Sequence, residues 1–478
     1  MKKYIVIGSL CVAALFSACD NYLDVVPKGQ AVLNSTSDYL GLLEELDPSY
    51  PVSDTWYLAD EATWYKLDEL DSYKHPLQSA GFFWDENIDR VKYMETNDLY
   101  NRCYKRIAKY NVIIDNINDS EGLAKDKALG MAQAKIMRAY NYFFLVNTFA
   151  KPYNAATAAS DKGIIIHKKF DLEATSTQYS VAEVYEFVEQ DINEALSGLP
   201  DKPENTYRPS RSFGYALKAK MHLFKGETGP ALEAALEALK TNYHRLWNMN
   251  DMYNEIVAQF PFIVGSPSMW GMFATHPDSD PENLLYQYSN TYTDPYPMYI
   301  RKEVMALYNK VADLRYVTCM AYYMPPRPTA ENGTVMFGSS NVRWNTCGMR
   351  LSEVYLMIAE CYARQNNPGK AMEYLNTLRE NRLLEAAYSD LTAADAATAL
   401  KLVREERKRE LVLTCNGFFD MRRFCTQFNE TLTKVYTTKD AQGNPVTKTY
   451  TLTPQSHLLT FPFPMDAMET SDLTQNSK

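Results

Sequence analysis

Acidic side chains occur where their spacing could support acid–base chemistry. Glu406 and Glu410 lie one helical turn apart, with Arg407 and Arg409 beside them. Two such carboxylates could serve as a general acid and a general base. Charges three and four residues apart, however, commonly pair with one another along a helix. We therefore predict that this cluster is structural.

The same ion network is predicted to reach further along the chain. Asp420, with Arg422 or Arg423, follows the cluster closely and is expected to lock the C-terminal part onto the helical scaffold. Asp313 and Arg315 are predicted to form a structural ion pair near a helix end.

A second acidic group lies in a loop. Asp278, Asp280 and Glu282 alternate, and Asn283 follows them. Oxygen ligands at this spacing could hold Ca²⁺, but the glycine and the distal glutamate of an EF-hand are missing. The prediction is a solvated acidic turn and no metal site.

Motifs of known enzyme classes do not occur in the sequence. It lacks a Gly-x-Ser-x-Gly turn, a His-Glu-x-x-His helix and a phosphate-binding glycine loop, and its 6 histidines are scattered. A glycoside hydrolase needs two carboxylates about 5–10 Å apart across a cleft, and no local pattern singles out such a pair. We predict a protein that is not an enzyme and needs no cofactor.

Aromatic side chains are the better candidates for a functional role. The chain has 35 tyrosines against 20 phenylalanines, and many lie in irregular stretches at 50–85 and about 245–348. Tyrosine and tryptophan combine an apolar ring with a polar group, which suits stacking on the C–H face of a sugar. Core packing is the alternative for each of them. The candidate ligand-binding residues are Trp64, Trp84, Trp270, Tyr292, Tyr296 and Trp344.

Helices must position these loops. Apolar residues recur at spacings of three and four over 97–118, 125–149 and 181–196, which predicts amphipathic helices. A β-hairpin is predicted over 430–452, where Thr, Tyr and Lys alternate around a Gly-Asn pair.

An internal repeat gives the scaffold its form. Residues 214–239 and 354–379 align at a shift of 140, each as a helix, a polar turn and a second helix. The pattern resembles the tetratricopeptide helix pair, with a weaker echo at Ala139. We expect helical pairs that stack into a right-handed scaffold, interrupted by insertions. The aligned small residues are Ala219 with Ala359, Gly229 with Gly369, and Ala231 with Ala371.

Charge and cysteine content narrow the class of protein. The formal net charge is −10 and no basic block stands out, which argues against a nucleic-acid partner. The cysteines beyond position 19 form no Cys-x-x-Cys pair, so buried free thiols are predicted rather than a metal site.

The N-terminus has the order of a secretory signal. Lys2 and Lys3 precede an apolar run at 5–16, which is too short for a membrane span of about 20 residues. Small residues then lead to Cys19, as in the lipobox of bacterial lipoproteins. We predict a signal peptide over 1–18, a lipid anchor on Cys19, an extended tether over 19–35 and one α-helical domain over 36–478.

Six segments together resemble the SusD/RagB family of Bacteroidetes outer-membrane lipoproteins. They include the start of the mature chain, the central helix with its closing Pro-Tyr, the repeat helix, the Glu-Arg-rich helix and the Pro-x-Pro near the carboxyl end. The segments occur in the family's order at 19–29, 137–153, 184–200, 349–364, 403–424 and 458–476.

The resemblance implies a mostly α-helical fold of tetratricopeptide-like pairs with loop-rich insertions. It also implies a cell-surface lipoprotein that binds oligosaccharide nutrients above a SusC-like, TonB-dependent β-barrel transporter. Ligand-binding residues vary within the family, so none is carried over. The alternatives are an oligopeptide-binding protein of the same transporter type, a surface enzyme that cleaves glycans or peptides, and a scaffold that binds only the transporter.

Overall fold

The protein is mostly α-helical, as the sequence predicts. The computed structural model describes residues 33–44, 49–50, 63–64, 76–171, 173, 176–259, 277–289, 299–321, 335–336, 345–412, 414–439 and 442–476. The helices are α1 Thr36–Glu44, α2 Pro76–Phe83, α3 Asp98–Asn116, α4 Ala124–Phe149, α5 Val181–Ala195, α6 Arg211–Lys225, α7 Thr228–Ala238, α8 Met249–Gln259, α9 Lys302–Met305, α10 Leu314–Cys319, α11 Leu351–Arg364, α12 Pro368–Glu380, α13 Ala396–Glu410, α14 Asn416–Gln427 and α15 Met465–Glu469.

The strands are short and pair in twos. The pairs are β1 Ser49–Tyr50 with β6 Tyr288–Ser289, β2 Thr63–Trp64 with β7 Tyr299–Ile300, β3 Lys162–Ile165 with β4 Gln178–Ser180, β5 Asn283–Leu285 with β10 Met349–Arg350, β8 Met320–Ala321 with β9 Val335–Met336, and β11 Leu432–Lys439 with β12 Pro445–Leu452. The last pair is antiparallel, with Leu432 opposite Leu452, and confirms the predicted hairpin.

The three helices predicted from periodicity are present with nearly the expected ends. The Asn97 side chain accepts a hydrogen bond from the Tyr100 N–H at 3.0 Å and so caps the start of α3. Ser180 and Glu183 form a reciprocal capping box at the start of α5. Helix α4 carries buried side chains along most of its length from Gly130 onward, because other elements pack around it on several sides.

The internal repeat is confirmed as two helix pairs, α6 with α7 and α11 with α12. Helix α7 also packs against α11, so the two pairs stack on each other. Alanine lets two helix backbones approach closely, and the four aligned alanines have no exposed surface. These fully buried residues are Ala219, Ala231, Ala359 and Ala371.

The carboxyl end of the described chain packs against α4. The Phe463 ring stacks on Phe149 with centroids 6.1 Å apart, and the Phe461 N–H donates to the Thr148 carbonyl at 2.9 Å. Arg422 donates to the carbonyls of Asn147, Ala150 and Leu459, which joins α14 to both segments.

The described part of the chain also bears on the state of its cysteines and on membrane-spanning helices. Its free, buried cysteines agree with the prediction of buried thiols. None of the described helices is both long enough and apolar enough to cross a membrane. The cysteines are Cys103, Cys347, Cys361, Cys415 and Cys425.

Candidate functional site

Most of the residues predicted from sequence to bind ligand lie outside the described residues. Trp64 lies in strand β2, whose backbone pairs it with Tyr299 in β7. The remaining predicted positions, apart from Trp84, are outside the described residues, as is the predicted lipid anchor. They are Cys19, Trp270, Tyr292, Tyr296 and Trp344.

Trp84 is buried rather than presented to solvent. Only 4% of its surface is exposed, and the Lys434 ammonium lies 4.2 Å from the centroid of its ring. Its backbone has a φ of 49°, which is uncommon for a bulky residue and holds the chain in a tight turn after α2. Burial and the cation–π contact favour the packing alternative for this residue over a ligand contact.

A cavity of about 380 Å³ lies between α1, α3, α4 and the loop 205–209. Its volume falls within the range of small-molecule sites, which is about 300–1,000 Å³. Five of the lining side chains are amides or guanidinium groups. The lining residues are Leu43, Glu44, Arg106, Tyr110, Gln133, Met137, Asn205, Tyr207, Arg208, Pro209 and Gln287.

Helical spacing brings the polar side chains of the cavity together. Arg106 and Tyr110 are four residues apart on α3, and Gln133 and Met137 are four residues apart on α4. Residues at this spacing share one face of a helix. Helices α3 and α4 pack against each other, so both faces meet at the cavity.

Backbone hydrogen bonds fix Gln287 at the opposite wall. Its carbonyl accepts from the Cys347 and Gly348 N–H groups at 3.0 and 3.1 Å. Gly348 is required here, since a Cβ at this position would lie 2.1 Å from the Leu285 carbonyl oxygen. The close approach of the two segments therefore sets where the Gln287 side chain enters the cavity.

The loop 205–209 is held by its own side chains and by its neighbours. The Asn205 side-chain oxygen accepts from the Tyr207 N–H at 3.0 Å, which is an Asx-type turn. The Thr206 carbonyl accepts from the Tyr286 N–H at 2.7 Å, and the Tyr207 ring packs edge-on against Tyr286. Arg208 is thereby presented from a fixed loop.

Three buried polar atoms at the cavity have no hydrogen-bond partner among the described residues. They are Arg208 Nε, Gln133 Oε1 and Gln287 Oε1, on side chains that are 4%, 2% and 5% exposed. A buried polar atom left without a partner costs about 1–3 kcal/mol, and native proteins contain few of them. A polar ligand or ordered water molecules in the cavity would supply partners for them.

Burial also shifts the pKa values of two side chains that line the cavity. Desolvation lowers the pKa of Arg208 below its ordinary value, while Glu44 and Glu204 act in the opposite direction. Its Nη1 donates to the Leu40 carbonyl at 3.3 Å. Desolvation raises the pKa of the Tyr110 hydroxyl, and Arg106 opposes that rise. The wall is therefore cationic and hydrogen-bonding, with acidic groups on the exposed residues Glu44 and Glu204.

The charge cluster of α13 is structural, as predicted, but it is buried and its partners are mostly distant in sequence. Glu406 pairs with Arg409 three residues away, as expected, and also with Arg315 at 2.6 Å. Glu410 accepts hydrogen bonds from Arg315, from Arg350 on β10 and from Arg382 after α12. The local helix pairing expected from sequence is therefore only a minor part of the network, because α13 packs against α11 and α12.

The predicted extensions of this network are largely confirmed. Asp420 accepts from Arg407 and Arg423, and Arg423 also donates to Glu360 at 2.7 Å. Asp313 pairs with Arg315 at 2.8 Å. Arg422 differs, since its described hydrogen bonds go to main-chain carbonyls. Burial alone would raise the pKa of these carboxylates, yet the neighbouring arginines lower the pKa of Glu360 and of Glu406 to about 2.

The prediction of a solvated acidic turn at 278–282 is right for Asp278 and Ser279, which are exposed, and wrong for its end at Glu282, while Asp280 is half-buried. Glu282 is 1% exposed and accepts from Arg382 at 2.6 Å, while Asp278 accepts from the Thr206 N–H and hydroxyl. Desolvation and the neighbouring Glu282 raise the pKa of Asp280 to about 6. The end of the turn at Glu282 is thus built into the interior beside Arg382, and the described residues contain no cluster suited to a metal ion.

Sequence reasoning missed the cavity. The available signal is an arginine and a glutamine on helix faces that are otherwise apolar, at Arg106 and Gln133. A polar residue in such a stripe is as often a packed core residue, so the sequence alone gives no reason to select these two.

Comparisons with known proteins agree with the fold. Residues 22–223 match a SusD-like family described as starch-binding and associating with the outer membrane, and residues 287–477 match the SusD family. The SusD-like protein P25 of Formosa agariphila is 23% identical over 391 residues, which are 70% of this chain and 71% of that protein.

Two solved structures share the fold of this chain. A SusD superfamily protein from Bacteroides thetaiotaomicron has a TM-score of 0.68 and 19% identity, with 93% of this chain and 100% of that chain covered. A SusD-like carbohydrate-binding protein from Bacteroides vulgatus has a TM-score of 0.59 and 16% identity, with 93% and 94% covered. Since the two family matches lie in order and together span most of the sequence, the chain belongs to the SusD/RagB family.

Proposed function

We propose that the protein is a surface lipoprotein that binds oligosaccharide nutrients and passes them to a TonB-dependent β-barrel transporter. The observation that carries the proposal is the SusD match along the chain, one part of which is described as starch-binding and associating with the outer membrane. The described cavity adds support, because it offers amide, hydroxyl and guanidinium groups rather than a pair of carboxylates facing a cleft.

Titration calorimetry of the mature chain against soluble glycans and oligopeptides tests the ligand class. Saturable binding of one glycan class, weakened by Trp270→Ala, is the expected result. Binding of peptides with no response to any glycan would overturn the ligand class. Release of shortened products during prolonged incubation would overturn a role limited to binding.

The lipid anchor and the transporter are tested in cells. Cys19 is proposed to carry acyl chains, of which two or more anchor a protein stably. Metabolic palmitate labelling should therefore be lost in Cys19→Ala, and persistent labelling would refute the anchor. Mild detergent extracts of the outer membrane should yield a β-barrel transporter with the tagged wild-type protein. Recovery of the protein without any barrel would contradict the proposed partner.

A further inference from the structure

The cavity lined by Arg106, Gln133, Arg208 and Gln287 combines two kinds of hydrogen-bonding need. Arg208 Nε requires an acceptor, and the two amide oxygens require donors. The terminal torsion of glutamine is broad, so a molecule in the cavity can draw either amide oxygen towards itself by a small rotation. A suitable ligand therefore carries hydroxyl donors and a strong acceptor on one small frame.

The charge of the cavity indicates which kind of acceptor the ligand carries. Arg208 is 4% exposed, and among the described residues its guanidinium donates to the Leu40 carbonyl and has no carboxylate within ion-pair distance. Other buried arginines, such as Arg382 and Arg423, each face a carboxylate within 3.0 Å. A guanidinium in a dry site binds a carboxylate more strongly than a neutral oxygen, because the charge-assisted bonds can form in pairs.

We infer that this cavity binds a sugar acid, so that the captured oligosaccharide contains uronic acid units. The carboxylate is placed against Arg208, and the ring hydroxyls are placed against Gln133 and Gln287. The inference rests on the proposed function and deepens it by naming the class of glycan. Glu44 and Glu204 near the cavity oppose a purely anionic ligand, which favours one carboxylate among several hydroxyls.

Two probes that differ only at the carboxyl group, as the free acid and as the methyl ester, test the inference. Calorimetry compares an oligomer of 1,4-linked galacturonic acid with the same oligomer methyl-esterified at its carboxyl groups. Wild-type protein should bind the acid at least about tenfold more tightly than the ester. Arg208→Gln should remove that preference, and Arg208→Lys should keep part of it because the charge remains. Arg211→Gln, which removes a partly exposed arginine paired with Asp201, should leave both affinities unchanged.

A further variant keeps the inference testable if the Arg208 variants do not fold. Gln133→Leu removes a buried polar atom without a partner, so its Tm should equal or exceed that of the wild type. Its affinity for the acid oligomer should nevertheless fall several-fold. Lower affinity at unchanged or higher Tm supports a binding role, and unchanged affinity overturns it.

The remaining outcomes separate the inference from the proposed function. Equal binding of acid and ester overturns the inference and leaves oligosaccharide binding intact. Binding of a neutral glycan alone does the same. Binding of acidic peptides but no glycan overturns both the sugar-acid inference and the proposed ligand class.

Discussion

Glu410 shows how one buried carboxylate can join distant parts of the chain. It is 6% exposed and accepts hydrogen bonds from Arg315 at 2.9 Å, Arg350 at 2.6 Å and Arg382 at 3.0 Å. Glu410→Gln removes the negative charge and leaves these guanidinium groups undercompensated in a dry interior. The free energy of unfolding should fall by about 3–5 kcal/mol, as measured by urea titration.

Glu373→Gln is the matched control for this prediction. Glu373 pairs with Lys370 on the exposed face of α12, where the two side chains are 58% and 49% accessible. Pairs in contact with solvent contribute little. Its urea midpoint should match that of the wild type, and an equal loss in both variants would show that burial of the network is not the cause.

Asp280 gives a pH-dependent prediction. Its pKa in the folded protein is about 6, above the ordinary 3.8, because burial and Glu282 disfavour the charged form. The folded state therefore binds the Asp280 proton more tightly than the unfolded state does. The stability that this proton contributes is lost as pH rises from about 4 to 6. Asp280→Asn should be more stable than wild type at pH 8, by about 1–3 kcal/mol, and no more stable at pH 4. Melting curves across that range test this, and a gain that does not change with pH would refute it.

At the scale of elements, periodicity predicted helices well where one face is buried. Helices α3 and α5 have an apolar stripe and capping residues at their starts, and both begin within one residue of the expected position. The burial of the α13 charges could not be predicted in the same way. Their arginine partners come from Arg315, Arg350 and Arg382, and only the folded chain brings these residues together.

The aligned alanines and glycines of the repeat have different roles. A Cβ added at Gly369 meets nothing within 4 Å, whereas Ala371, two residues later, is fully buried at the helix crossing. Gly369→Ala should raise the free energy of unfolding by about 0.5–1 kcal/mol, because it reduces the entropy of the unfolded chain. Ala371→Leu should lower it by about 1–3 kcal/mol through overpacking. Urea unfolding measures both, and effects of the same sign would contradict the stacked-pair packing.

For the whole molecule, the order of the family segments predicted the fold class and the internal alignment predicted the repeat, but neither predicted the cavity. Leu43, Arg106, Gln133, Arg208 and Gln287 come from parts of the chain that no local motif connects. Their convergence depends on how α1, α3 and α4 pack and on the closeness of Gly348 to the chain at 285–287. Four of the six aromatic predictions fall outside the described residues and remain predictions.

The segment near the carboxyl end packs against the central helix α4. Phe463 has no exposed surface and packs against Phe149 of α4 and Tyr100 of α3, while the Gln475 side chain accepts from its N–H at 2.8 Å. Phe463→Ala would leave a cavity between these elements and should lower the free energy of unfolding by about 3–5 kcal/mol.

Met465→Ala, only two residues away, provides the control for Phe463→Ala. Met465 is 37% exposed, so the loss of its side chain should change stability little. Limited proteolysis gives a second readout, since loosening the end of the chain from α4 should expose cleavage sites near 457–476 before the helix pairs are cut. If Phe463→Ala lowers stability but the helix pairs are cut first, the closing segment is not the part that opens. An unchanged urea midpoint in Phe463→Ala would show that the carboxyl end does not contribute to the core.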